Sequence, residues 1–374
     1  MPDVVEIAQR LIRFDTINPP GRERPCLDWV ASLLAPAGFE IAWQEIGEDR
    51  ANLIARLPAT AAAARPPLVL SGHVDTVPLG AAAWSVPTHE GLIEGGRLWG
   101  RGASDMKSGV AACIAAGLEA AEWPERRADL RLILSAAEET GCEGVLALVR
   151  ERSLLGEAGA MVVAEPTDNR PLLGHKGALW LRLHHRGVTA HGSSPELGRN
   201  AIFAACESIA RLRSLDFGVA EHEVMGRPSL NIGTLHGGLN VNSVPDHAAL
   251  GVDIRTVAGQ TNASVRERVA EAVGGEIEIE ILTDMAPVFT PADDPWMAEA
   301  RTIASEITGA PADAATARYF TDASVLKEAF GHPPTLIMGP GPAALAHQTD
   351  EWCDVAAIGA CARAFAEIAR RYLA

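Results

Sequence analysis

No two of the six cysteines in this 374-residue chain form a C-x-x-C pair; Cys26, Cys113, Cys142, Cys206, Cys353 and Cys361 are scattered along it. That spacing argues against a disulfide framework or a thiolate zinc site and for reduced, buried thiols. Basic charge is also scarce: 32 Lys and Arg stand against 48 Asp and Glu, for a formal net charge of -16. Such a surface repels nucleic acid and anionic membrane. Part of the acidity suits a carboxylate-rich pocket that divalent cations neutralise. No apolar run approaches the roughly 20 residues of a membrane span. The start, Met-Pro-Asp-Val-Val-Glu-Ile-Ala, lacks a basic stretch and an apolar signal core, so a soluble cytoplasmic protein is expected. There is no G-x-S-x-G elbow, which disfavours a serine hydrolase. Gly100-x-Gly102-x-x-Asp105 lacks the third glycine of a dinucleotide fingerprint, and no strand leads directly into it. No internal repeats are visible, and Ala59 to Ala64 reads as a low-complexity surface loop.

What the chain does have is apolar residue content of 48%, enough for a large core. Its length exceeds the roughly 100–200 residues of a usual domain, so two domains are expected. Helical spacing runs over Val4–Phe14, Pro25–Leu34 and the Ala-rich Lys107–Ala121. Buried strands are expected at Asn52–Leu57, Leu68–Ser71, Leu130–Ser135 and Met161–Ala164. This is an α/β layout around a central, mostly parallel sheet. The middle then reads strand Ala178–His185, helix Asn200–Arg213, strands Ser229–Leu235 and Ala248–Arg255, helix Asn262–Ala272 and strand Glu276–Leu282. The order β-α-β-β-α-β is a ferredoxin-like α+β pattern. Crossings between domains are expected at Gly174–Gly177 and Thr283–Pro287. Helix Pro295–Thr308, strand Thr335–Met338 and helix Val355–Tyr372 complete the α/β part. A domain of residues 1–175 and 287–374 with an inserted lid of residues 176–286 follows.

His73 and Asp75 stand two apart at the end of an apolar run, where a strand puts both on one face. A metal-binding histidine needs an acceptor on its other ring nitrogen, and Asp75 is placed to be one. Asp105, Glu138, Glu139, Glu165 and His347 lie in loops after strands or just before a helix, where open α/β sheets place their sites. Each has an ordinary alternative: Asp105 as a helix N-cap, Glu138-Glu139 as a solvated turn, His347 as a surface histidine. Together they favour metal binding. Two histidines and several carboxylates without a thiolate suit zinc, manganese or cobalt. More than four donors exceed one tetrahedral ion, so two ions sharing a carboxylate are expected, as in hydrolytic two-metal sites. Of the adjacent glutamates, one is expected to ligate and the other to act as general base. His184-His185, in an alternating strand, reads as ordinary surface residues.

These residues resemble the dinuclear-zinc metallopeptidase family that includes acetylornithine deacetylase, succinyl-diaminopimelate desuccinylase, aminoacylase and glutamate carboxypeptidase. The resemblance spans essentially the whole chain. It implies His73 as the first ion's histidine with Asp75 orienting it, Asp105 as the bridging carboxylate, and Glu138 as the base. It further implies Glu139 and His347 on the second ion and Glu165 on the first. In the lid, His191 of Thr-Ala-His-Gly-Ser-Ser-Pro matches the histidine that reaches the neighbouring subunit's site and stabilises the oxyanion; its ordinary alternative is a hydrogen-bonded loop residue. Asn242 and Arg255 match positions that bind the substrate carboxylate, though Arg255 equally suits an internal acid. Thr321-Asp322, Gly339 and Gly341 match substrate-loop positions less specifically. The lid of the family usually carries a homodimer contact.

The implied activity is metal-dependent hydrolysis of the amide bond of an N-acyl amino acid or small peptide, closest to the acetylornithine and succinyl-diaminopimelate enzymes. The alternatives are a carboxypeptidase or dipeptidase of the same family, and a non-catalytic relative that binds small acids.

Overall fold

The computed structural model describes residues 3–275 and 277–374. The chain divides into two compact units. One holds the residues up to Gly174 with Phe289–Ala317 and Thr321–Ala374; the other holds His175–Val288 with Arg318–Phe320. The 318–320 segment goes with the second unit because the Phe320 ring packs edge-on against Trp180, centroids 6.1 Å apart.

The first unit opens with helices α1 (Val4–Ile12) and α2 (Glu23–Leu34), then strands β1 (Glu40–Gly47), β2 (Arg50–Leu57) and β3 (Leu68–His73). Helix α3 (Ser108–Ala121) and strands β4 (Leu130–Ser135) and β5 (Ala160–Val163) follow. Strands β3, β4 and β5 are apolar almost throughout because they are buried, as central parallel strands are.

The second unit is β6 (Ala178–Arg186), α4 (Ala201–Leu212), β7 (Ser229–Gly237), β8 (His247–Arg255), α5 (Asn262–Val273) and β9 (Glu278–Met285). Its antiparallel sheet runs β7-β8-β6-β9, the ferredoxin-like order. Alternate residues Leu179, Leu181 and Leu183 of β6 and Leu250, Val252 and Ile254 of β8 meet Val265, Val269 and Val273 of α5. That period of two on the strands and of three to four on the helix is what builds this second core. The chain then returns to the first unit with α6 (Pro295–Thr308), β10 (Thr335–Ile337) and α7 (Val355–Leu373).

The main sheet has the order β1-β2-β4-β3-β5-β10. Its β4-β3, β3-β5 and β5-β10 pairs are parallel; the β1-β2 and β2-β4 pairs are antiparallel. Helix α7 packs on α3, α1 and α6. It begins where the Asp354 carboxylate accepts from the N–H groups of Ala356 at 2.8 Å and Ala357 at 3.2 Å. Asp354→Ala is therefore expected to cost about 1 kcal/mol, the usual worth of an N-cap, read as a lower urea midpoint with an unchanged slope.

Four expectations need correction and one goes untested. A short strand, Arg97–Trp99, does lead directly into Gly100. Thr283–Met285 is not a crossing but continues β9, where Thr283 pairs with Trp180 and Met285 with Ala178. Glu276, which opened the expected last strand, lies outside the described residues. His185 is not at the surface: it is buried under α4, its Nε2 2.9 Å from Ser208 Oγ. Cys206 is exposed, while the other five thiols are buried.

Candidate metal centre

Parallel pairing in register aligns the carboxyl ends of neighbouring strands. His73, the last residue of β3, pairs with Ser135, the last of β4, and Val163 ends β5 beside Ser71. The loops after these strands bring Asp75, Glu138, Glu139 and Glu165 to one end of the sheet. Asp105 arrives from the segment before α3, where Gly102 takes φ 83°, a left-handed conformation that favours glycine. His347 arrives from the loop after β10, with φ 64°.

Asp105 sits between the two histidines. Its Oδ1 is 3.2 Å from His73 Nε2, and its Oδ2 is 3.5 Å from His347 Nε2. Glu139 Oε2 lies 3.0 Å from the same His347 nitrogen. The other His73 nitrogen, Nδ1, donates to the Asp75 carbonyl oxygen at 3.0 Å, with the Asp75 carboxylate at 3.6 Å. That bond fixes the tautomer and leaves Nε2 facing Asp105. Asp75 also accepts from Asn18 Nδ2 at 3.0 Å and from the N–H groups of Glu138 at 3.1 Å and Glu139 at 3.2 Å. One buried carboxylate thus holds both the histidine and the turn that carries the paired glutamates.

Charge is crowded here. Burial pushes Glu138 and Glu165 well above the usual carboxylate range, and each is further raised by neighbouring acids, with His73 acting against this. Glu139 is also raised, by burial and then by Asp105. Asp322, buried against Glu138 and Cys142, is pushed up to about 6, chiefly by burial. Burial alone would lower the His73 pKa, but Asp105, Asp75 and the nearby glutamates hold it well above its ordinary value. The ring of His347 is raised by its hydrogen bond to Glu139. Such a set asks for cations. Donor atoms of His73, Asp105 and Glu139 lie within 4.8 Å of one another, and Glu139 Oε1 is buried without a hydrogen-bond partner. The residues fit a divalent metal.

Glu138 is turned toward Cys142, whose Sγ is 3.7 Å from its Oε1. Thr321 is fully buried, and its Oγ1 accepts from Ala323 N–H at 3.1 Å. Gly339 and Gly341 have packing reasons: a Cβ would come 2.3 Å from the Ala164 carbonyl oxygen and 2.3 Å from that of Ser104, respectively.

Within the second unit, the loop around His191 packs on the 242–244 segment: Gly192 N–H donates to the Asn242 carbonyl at 2.7 Å, and His191 bridges to Ser243. His191 Nδ1 is 2.7 Å from Ser193 Oγ, and the ring is exposed. Arg255 pairs with Asp253, Nε to Oδ1 at 3.0 Å and Nη2 to Oδ2 at 3.2 Å. One edge of its guanidinium therefore holds an internal acid, with Nη1 outside that pair. Sequence reasoning missed Asn18, the closeness of Asp322 to Glu138, and Glu351, whose role is taken up below. Each lies far along the chain from the residue it touches.

The sequence model described as Peptidase family M20/M25/M40 matches residues 69–371. The chain belongs to this family. Among M20-type relatives, it is 29% identical to an acetylornithine deacetylase of Photorhabdus laumondii, over 96% of this chain and 94% of the relative. It is 26% identical to a probable succinyl-diaminopimelate desuccinylase of Staphylococcus epidermidis, over 94% and 93%. Solved M20 structures share the fold. An M20 family metallo-carboxypeptidase from Sulfolobus solfataricus superposes with TM-score 0.78 at 17% identity, covering 100% of this chain and 99% of that one. A dinuclear metal binding peptidase of Bacillus subtilis gives TM-score 0.72 at 16% identity, covering 99% and 97%.

Proposed function

We propose that this M20 protein is a metal-dependent amidohydrolase that releases an amino acid from an N-acyl amino acid. The observation that carries the reading is Asp105, with one oxygen toward His73 and the other toward His347. A carboxylate so placed suits two ions, one held by His73, Asp105 and Glu165, the other by Asp105, Glu139 and His347. This donor set would suit zinc first, with cobalt or manganese next. When bound, such ions lower the pKa of water and polarise a carbonyl.

The rest belongs to the chain. Glu138 takes the proton of the attacking water at a carboxylate oxygen and returns it to the leaving nitrogen. Asp75 keeps the Glu138-Glu139 turn and the His73 ring in place. His191, supplied by a second copy of the chain, donates to the oxyanion. Asn242 and Arg255 meet the substrate carboxylate, with Asp253 orienting the guanidinium; Thr321, Gly339 and Gly341 shape the loops around the substrate. A homodimer through the second unit is supported by its exposed apolar residues Leu197, Phe203, Leu239 and Val241 and by the free edge of β7. A cytoplasmic setting would keep its free cysteines reduced. Among the described residues no helix is long and apolar enough to cross a membrane.

The test is hydrolysis of N-acetylornithine, N-succinyl-diaminopimelate, glutamyl conjugates and dipeptides by metal-stripped protein, before and after adding zinc, cobalt or manganese. Metal-dependent release of a free amino acid, fastest on the N-acyl substrates, is expected. Fastest turnover of peptides would make it a carboxypeptidase or dipeptidase. Two bound ions with silence across the panel would leave a small-acid-binding relative.

A further inference from the structure

We propose that Glu351 is a positioning residue that locks the Asp105 and His347 loops into one metal-binding frame; this rests on the dinuclear reading above. Its carboxylate is fully buried and spends both oxygens on the segment that delivers Asp105. Oε2 accepts from Arg101 Nη1 at 2.7 Å and Gly102 N–H at 3.0 Å; Oε1 accepts from Ser104 N–H at 2.7 Å and Asp105 N–H at 2.9 Å. With its oxygens so occupied, Glu351 is not a ligand. It sets the peptide from which the Asp105 side chain departs.

Glu351 also stands four residues after His347 and belongs to the same loop. That loop is tied to the Asp105 segment at further points. Gly100 N–H donates to the Glu351 carbonyl at 3.0 Å, Arg101 Nη1 to the Gln348 carbonyl at 3.2 Å, and Ser104 Oγ to the Pro342 carbonyl at 2.9 Å. A carboxylate suits this place better than an amide would. Four N–H donors converge on it, and a Gln would turn an NH₂ toward two of them. The buried Arg101 guanidinium balances the charge, so the clamp adds no net negative charge to a crowded site.

The test compares metal-free wild type, Glu351→Gln and Glu351→Asp by competition with a chelator for zinc and cobalt, and by Tm with and without metal. In Glu351→Gln, affinity is expected to fall about 10–100-fold, the usual cost of losing a group that orients ligands. The metal-induced rise in Tm should shrink with it. Glu351→Asp keeps the charge but withdraws the oxygens from the backbone donors, so an intermediate loss is expected; it carries the test should Glu351→Gln not fold. Wild-type affinity in either folded variant, with only the metal-free Tm lowered, overturns the proposal. Wild-type protein that takes up no metal overturns the dinuclear reading and this proposal with it.

Discussion

Glu138→Gln is expected to lower kcat by at least about 10³-fold, toward the upper end of what a lost general base costs, while metal content stays at the wild-type level. The argument is local. Gln keeps the size of the side chain, and the Glu138 N–H still donates to Asp75 Oδ1 at 3.1 Å, so the turn holds its course. What disappears is a group that can accept a proton. Glu139 differs in kind: its Oε2 faces His347 and its Oε1 is buried without a partner. Glu139→Gln should therefore lower metal content as well as turnover. Metal analysis beside single-turnover rates separates the two. A Glu138→Gln enzyme retaining kcat within about tenfold of wild type would contradict the proton-transfer role.

The layout was readable because two periodicities and one topological rule sufficed for it. Leu130–Ser135 and Pro295–Thr308 have the expected bounds, and most other elements shift by a residue or two at their ends. Ligand candidates were found because parallel sheets put sites beyond the carboxyl ends of strands, and those ends are legible as the close of apolar runs. Strand β1 was missed. Its sequence Glu-Ile-Ala-Trp-Gln-Glu-Ile-Gly is only partly buried and lies at the sheet edge, so it lacks the run that marked its neighbours. The extension of β9 escaped because the polar Thr283-Asp284, followed by Pro287, reads as a crossing until Trp180 is known to lie opposite Thr283.

Long-range partners had no local signal at all. Asn18 touches Asp75 across 57 positions and Glu351 touches Asp105 across 246. Asp322, matched in sequence only to a substrate-loop position, stands at the N-terminus of helix Ala323–Ala329, and its Oδ2 accepts from Ser135 Oγ at the end of β4. Residue type announces ligands because few side chains bind metals. It does not announce the groups that orient them, since any donor or acceptor will serve.

Gly109→Ala is expected to destabilise the metal-free protein by about 3 kcal/mol, the upper range of overpacking costs, and to lower metal content. Intrinsic helix propensity predicts the opposite, a gain of about 1 kcal/mol in the first turn of α3. Packing decides it. A Cβ at Gly109 would lie 2.0 Å from the Ala164 carbonyl oxygen and 3.0 Å from the Ala164 Cβ. The obstacle is backbone, so no rotamer change relieves it. The Ala164–Glu165 backbone also meets Gly339, where a Cβ would approach the Ala164 and Glu165 carbonyl oxygens at 2.3 and 2.5 Å. Two glycines therefore lie close against the peptide that launches Glu165, and crowding either one displaces that residue along with the helix. Gly117→Ala in the same helix is the control. The nearest atoms to its Cβ would be Phe39 Cζ at 3.2 Å, Leu132 Cδ1 at 3.3 Å and Leu132 Cδ2 at 3.7 Å, side-chain ends that can give way, so its stability should stay within about 1 kcal/mol of wild type. Urea titration of both variants, with metal analysis of each, reads the contrast. Equal stability of the two would mean that the close approach of α3 to the end of β5 does not set the position of Glu165.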